Sequence, residues 1–421
     1  MNTKRKVLLI SLGTRGDIEP FLAIAEMLKE KGHNAVCAFP EQFENLALDS
    51  GAQFISLGPE FVDLIESDDG AMAMGGQRSI IKKMGAYARL YMKSLYINKE
   101  LVARQREIIV KEQPDKIIFS GKAIYPIIWE IENPGKSILV SPIPCLIHAV
   151  NDRPTVGFSG NYGQFLNKLT YSLSNFGLIQ YVMKVTKEFR KSPKISSTDI
   201  KKAIFSKKMI YTVSPTIFPR PDYWPENTQV LGYHERKKTA HWHPNKRLEK
   251  FVADREKILF VTFGSMANPE PEEKTKMIVD ILERCQIPAI INTASGGLVE
   301  LTNYNSDLIH FESGIPYEWI FPKMYAALHH GGSGTTHLAL KYGCASMIIP
   351  HIIDQYLWDN LISDLGVGPM GISMAKITRQ KLETKILDLF HNQSYKANAL
   401  KASAKMKNED FKDRLCKAIV E

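Results

Sequence analysis

Two doubly wound α/β domains, joined by a linker and facing a cleft, are the architecture this sequence predicts. Three observations carry that expectation. An apolar run, KVLLIS, is followed by a turn, a helix-patterned stretch and a second apolar run, NAVCAFP. The same rhythm restarts at KILFVTFGSM, beyond a stretch rich in Pro, His and Lys. The 421 residues exceed what one core fills, so two or three domains are expected. Repeated strand–helix–strand units build parallel sheets covered by helices.

The first helix reads FLAIAEMLKEKG, with Phe21, Ile24, Ala25 and Leu28 at helical spacing. Pro20 suits its first position and Gly32 its stop. Residues 76–112 read as a basic amphipathic helix around IIKKMGAYARLYMKSLY. Buried strands are expected at DKIIFS (115–120) and KSILVSP (136–142). Residues 151–190 are rich in Gly, Asn, Tyr and Phe and then turn helical. Such a connection either lines an apolar ligand pocket or makes a small core of its own. The strand KMIYTVS leads into the expected linker, roughly 215–248. The second domain then reads KILFVTFGSM, a helix near 271–286, PAIINTASGG, DLIHFESG, YAALHH, a helix after GGSGTT, and SMIIPHIIDQ.

Composition narrows the class. Apolar residues make up 44% and charged residues 24%, as in an ordinary globular chain. No window approaches ~18 uninterrupted apolar residues, so no spanning helix is expected. The opening MNTKRKVLLISLG breaks at Gly13 and reads as a first strand, not a signal peptide. Five scattered cysteines without C-x-x-C point to reduced thiols in the cytoplasm, not to a disulfide framework or a zinc site. The net charge is +9, from 54 basic and 45 acidic residues. That balance suits nucleic acid, an anionic membrane or a phosphorylated substrate, and equally plain solubility. Basic residues neither gather in a tail nor interleave with aromatics, so no nucleic-acid partner is expected. The helix at 76–112 either touches a membrane surface or is a solvated face.

Two strand-to-helix turns carry the chemistry. In YAALHHGGSGTTHLALKYG (325–343) a strand ends at His329 and His330, and Gly331, Gly332 and Gly334 let the backbone approach a ligand. Thr335 or Thr336 is placed to cap the following helix. The first N–H groups of that helix then point outward with the dipole behind them, which makes an anion site. A neighbouring His adds a donor. The spacing is not that of a P-loop, and two adjacent histidines diverge, so no metal site is read here. The other turn, SLGTRGDIEP (11–20), lacks the G-x-G-x-x-G spacing and puts Asp17 where a phosphate would rest. Asp17 there is a helix cap or a partner of Arg15.

With what surrounds them, these turns resemble the GT-B glycosyltransferases. The branch most like this sequence is that of the sterol glucosyltransferases and glycopeptide-antibiotic glycosyltransferases among the UDP-glycosyltransferases. Five segments carry the likeness in order: GTRGDIEPFLAIAEMLKEKGH, SPTIFPRPDYWPENTQVLGY, VTFGSM, IPYEWIFPKMYAALHHGGSGTT and PHIIDQYLWDNLISDLGVGP. The resemblance implies two Rossmann-like domains, 1–235 for the acceptor and 236–405 for the nucleotide sugar. It also implies a helix in 406–421 that crosses back to the first domain.

The implied activity is inverting transfer of a hexose, glucose before others, from a UDP-sugar to a hydroxyl of an apolar acceptor. Sterols, terpenoids and flavonoids are the acceptor classes. By the resemblance, His330, Gly332, Ser333, Gly334 and Thr335 would hold the diphosphate, approached also by Gly264 and Ser265. Ile315 would meet the base through its backbone, and Trp319 fits either a place near the base or the core. Asp354 and Gln355 would bind sugar hydroxyls, although Asp354 also suits a helix cap. Thr14 would touch the sugar or phosphate across the cleft. Asp17 would take the acceptor's proton, working best partly desolvated or late in the transition state. No metal or other cofactor is implied, because dipole, N–H groups and imidazole can stabilise a departing UDP.

Plant relatives carry a His at the first turn, steadied by a later Asp. Here IIFSGKA offers Lys122 and no acid, so no His–Asp dyad is expected. Two rival readings keep the fold. An epimerase acting on a nucleotide sugar conflicts with the aromatic insert at 151–190. A non-catalytic binder of nucleotide or lipid conflicts with Asp17, His330, Asp354 and Gln355 all being present.

Overall fold

The structure is a computed structural model that describes residues 4–70, 80–158, 160–189, 195–237, 242–264, 266, 268, 270–293 and 296–421. The chain separates into two compact units. One comprises Met1–Glu66, Leu90–Lys238 and Asp410–Glu421, and the other Ser67–Arg89 and Thr239–Glu409.

The first unit is built on β1 (Lys6–Ile10), β2 (Asn34–Phe39), β3 (Gln53–Ser56), β4 (Lys116–Phe119), β5 (Ser137–Ser141), β6 (Lys208–Tyr211) and β7 (Thr228–Val230). All pair in parallel, in the order β3-β2-β1-β4-β5-β6-β7. Interior parallel strands are covered on both faces and so read as continuous apolar runs. Accordingly Val7, Leu8, Leu9 and Ile10 are fully buried. Leu9 registers with Cys37 on one side and Ile118 on the other. The chain builds outward from β1 and then returns beside it as β4, so the strand order reverses there. Doubly wound folds bind ligands beyond the carboxyl ends of strands at such a reversal.

Helix Arg15–Glu30 starts with Thr14 as its N-cap, so Pro20 lies inside the helix and not at its first position. An interior Pro costs one ladder bond, and the buried face of Ile18, Phe21, Leu22 and Ala25 decides the extent. Much of the expected linker instead folds onto this sheet. β7 pairs with β6, and Trp224 packs at 5.9, 5.2 and 5.7 Å between ring centroids from His148, Tyr211 and Phe218. Arg220 donates to the carbonyls of Thr228, Trp224 and Pro225. Prolines mark this stretch as irregular, but a buried tryptophan anchors it.

The connection at 151–190 becomes helix Gln164–Phe189. Asn167, Tyr171, Asn175 and Val182 are buried on its inner face, while Phe165, Leu169, Leu173 and Phe176 are exposed on the outer one. Of the basic helix expected at 76–112, Ile80–Glu112 is helical and 76–79 lie outside the described residues. The last helix, Lys412–Val420, adds Leu415, Cys416 and Ile419 to the core formed by Val7, Ile18 and Phe21.

The second unit repeats the plan with β8 (Leu259–Thr262), β9 (Ala289–Asn292), β10 (Ile309–Glu312), β11 (Ala326–His329) and β12 (Ala345–Ile348). The order is β10-β9-β8-β11-β12, again parallel, and reverses between β8 and β11. After helix Ile353–Asp364 the chain runs tightly along β12. A Cβ at Gly368 would lie 1.7 Å from the Ser346 carbonyl oxygen, so only glycine allows that approach.

Candidate active site

In the first unit Asp17 lies in the first turn of helix Arg15–Glu30, just past β1. Its Oδ2 accepts from the Thr14 N–H at 2.9 Å. Lys122 Nζ, just past β4, donates to both carboxylate oxygens at 2.8 Å each. Gly13 has φ +133°, and a Cβ there would sit 2.0 Å from Asp17 Oδ2. The turn's glycine therefore makes room for the carboxylate. Capping is realised, because Asp17 takes up an orphan N–H at the helix start. Pairing with Arg15 is not, since Arg15 bonds Glu19 at 2.9 Å. The sequence placed Lys122 at the strand end facing this turn but did not pair it with Asp17; the pairing follows from β1 and β4 being neighbours in the sheet.

In the second unit the glycine turn follows β11. His330 is buried and wedged between two glycines. A Cβ at Gly264 would lie 2.6 Å from its Cε1, and one at Gly332 2.5 Å from its Nε2. Gly264 follows β8 with φ +56°, and Gly332 is the N-cap of helix Ser333–Lys341. Burial, then the nearby His329 and His351, hold the His330 imidazole well below its ordinary value. His330 is thus neutral near pH 7 and offers a hydrogen bond, not a charge. The helix begins at Ser333, ahead of the threonines expected to cap it. Thr336 Oγ1 instead donates back to the Gly332 carbonyl at 2.9 Å, and Thr335 is buried. The first N–H groups, those of Gly334 and Thr335 included, have no intrahelical partner.

Gly331, with φ +94°, packs on Ile348 and Gln355, where a Cβ would come to 2.6 and 3.2 Å. Gln355 is itself buried, and its Oε1 accepts the N–H groups of His351 at 2.7 Å and Ile352 at 3.2 Å. Gln355 therefore caps helix Ile353–Asp364, and Asp354 sits half-buried in its first turn. Ile315 is buried after β10, two strands from β8, beside Gly314, whose N–H reaches Asn292 Oδ1 at 3.2 Å. Trp319 is half-buried against Trp242, with ring centroids 5.1 Å apart, and is not a core residue. Ser265 lies outside the described residues.

The second unit thus brings Gly264, His330 and Gly332 together, sets Gly331 on Gln355, and leaves Ile315 further along the sheet. Each unit has its turns at the reversal of strand order: Asp17 and Lys122 beyond β1 and β4, Gly264 and His330 beyond β8 and β11.

Known proteins share this plan. Residues 7–117 match the glycosyltransferase family 28 N-terminal domain, and residues 290–421 the erythromycin biosynthesis protein CIII-like C-terminal domain. A sterol 3-beta-glucosyltransferase of Arabidopsis thaliana is 26% identical, over 96% of this chain and 63% of its own length. One from Debaryomyces hansenii is 26% identical, over 96% of this chain and 26% of its own. The chain thus spans about a quarter to two thirds of these curated relatives. A solved structure, the glycotransferase of kitacinnamycin, aligns over 99% of this chain and 98% of its own with a TM-score of 0.72. At 14% identity that likeness shows the fold. The two domain matches and the two doubly wound parallel sheets agree with that likeness, and the chain has the two-domain GT-B fold.

Proposed function

We propose that this protein is an inverting glycosyltransferase that moves a hexose, glucose first, from a UDP-sugar to a hydroxyl of an apolar small molecule. One observation carries the reading: two unlike turns occupy equivalent places on a repeated architecture. One is acidic, with Asp17 held by Lys122. The other is glycine-rich, with neutral His330 at a helix start. The sterol glucosyltransferase relatives support a lipophilic acceptor.

In this reading the acceptor hydroxyl gives its proton to Asp17 as its oxygen attacks the anomeric carbon. The new C–O bond forms opposite the breaking bond to the diphosphate, so an α-linked donor yields a β-glycoside. Lys122, bonded to both oxygens of Asp17, fixes the carboxylate's orientation. UDP leaves with the electron pair of the broken bond. Its charge meets the N–H groups of Gly334 and Thr335, the helix dipole, the Ser333 hydroxyl and the His330 N–H. Gly264 and Ser265 approach the same phosphates, Ile315 the base, and Asp354 with the Gln355 amide nitrogen the sugar. Thr14 reaches the sugar or phosphate from the first unit. No step calls for a metal ion. The five free cysteines suit a cytoplasmic location.

The test is incubation of UDP-sugars with sterols, flavonoids and terpenoid alcohols in excess chelator, read by product mass and anomeric coupling. The expected product is one hexose heavier and β-linked. Donor hydrolysis alone, or an epimerised nucleotide sugar, overturns the reading.

A further inference from the structure

The first unit holds a cavity of about 190 Å³ behind the ends of β4 and β5. Its wall is apolar, with Phe119, Leu139, Ile147 and Leu178 among the lining residues. Three polar side chains break that wall, the buried Lys207 and Asn175 and the exposed Ser174. Lys207 is 2% exposed, and its Nζ has no hydrogen-bond partner among the described residues. Nζ rests 4.3 Å from the centroid of the Phe119 ring. Asn175 is 9% exposed. Its amide nitrogen donates to the Ile147 carbonyl at 3.0 Å, and Oδ1 is a buried acceptor without a partner among the described residues.

Leaving a buried donor and a buried acceptor unmade costs roughly 1–3 kcal/mol each, so native folds rarely keep such a pair without use. Burial lowers the Lys207 ammonium to about 7, with Glu130 opposing the shift. Glu130 does not relieve the amine, because its own oxygens accept from the Gly135 and Ser137 N–H groups at 2.6 and 2.8 Å. The volume sets the guest. A dry cavity of about 150 Å³ holds a benzene ring, so this one holds a single ring with a substituent.

The geometry points to a phenolic ring as the occupant, its hydroxyl oxygen accepting from Lys207 Nζ and its hydroxyl proton donated to Asn175 Oδ1. A hydroxyl carries both the acceptor that Lys207 Nζ lacks and the donor that Asn175 Oδ1 lacks. A methyl group meets neither, and a carboxylate would turn a second oxygen on Asn175 Oδ1. Gly121 also lines the cavity, and the next residue, Lys122, holds Asp17. In the proposed transfer, a ring bound here is one end of the acceptor. That role rests on the proposed transfer, whereas the binding itself does not.

The experiment titrates the full chain, without sugar donor, with phenol, toluene and benzoate by calorimetry. Phenol should bind about tenfold or more tightly than toluene, with benzoate weaker than phenol. Lys207→Met, which keeps the volume, should erase the advantage of phenol while toluene binding persists. Leu178→Trp should block both probes, and thermal melts check that each variant is folded. Equal binding of phenol and toluene, an advantage that survives Lys207→Met, tighter binding of benzoate, or no binding at all overturns the assignment. Because no donor is present, failure here leaves the transfer reading standing, and failure of transfer leaves these titrations standing.

Discussion

At the scale of single residues the chemistry depends on a few glycines that let charged or polar groups come close. Gly13 admits the Asp17 carboxylate, and Gly264 and Gly332 admit the His330 ring. Such positions are legible in sequence because GTRGD and HHGGSG stand at strand ends: Gly13 and Gly331 take φ of +133° and +94°, and Gly332 leaves the imidazole room that a Cβ would fill. Their partners are less legible. Lys122 is 105 positions from Asp17 and meets it only through strand order. His330 was readable as a donor, but its neutrality follows from burial, which no local motif encodes. Gly264→Ala tests the wedge. The left-handed φ costs about 1–2 kcal/mol, and the new Cβ displaces the imidazole. UDP affinity is expected to fall about tenfold by calorimetry, with a lower melting temperature. Unchanged affinity would mean that His330 does not face the nucleotide.

At the scale of elements, continuous apolar runs declared β1, β2, β4, β5, β8, β9, β11 and β12, because strands covered on both faces leave few polar positions. The edge strands of the first sheet were harder. β3, reading QFIS, has mixed exposed and half-buried residues, and three-residue β7 hides among prolines. Helix starts were the weakest point. Pro20 and Thr335 each suit a first turn locally, yet the helices begin at Arg15 and Ser333. In both cases the start follows the strand end, because the turn between them must be short enough to lay the helix back on the sheet. Helix Gln164–Phe189 answers a question that the sequence left open. Its Asn175 and Leu178 wall the cavity, while Phe158, Tyr162, Phe165 and Phe176 are exposed, so the connection lines a pocket without those aromatic rings.

At the scale of the whole molecule, buried histidines set the acid limit. Burial lowers His148, His337 and His351 to about 4 and His329 to about 3. Unfolded, each titrates near ~6.5. Between those values the unfolded chain binds more protons, so stability falls as pH drops below about 6.5. Asp359, raised to about 7 by burial, and Glu26, also raised by burial, work against this slope, but burial lowers His234, His310 and His330 as well, so the histidines outnumber the acids. The urea midpoint should therefore decline steadily from about pH 6.5 to about pH 5. A flat profile would contradict neutral buried imidazoles. The proposed reaction assigns donor binding to one unit and proton removal to the other, so the two must be separable. Asp17→Asn with UDP titrated by calorimetry and transfer followed by product mass tests this most directly. The account predicts ordinary UDP affinity with transfer reduced by about 10²-fold or more. Transfer at the unsubstituted rate would contradict it.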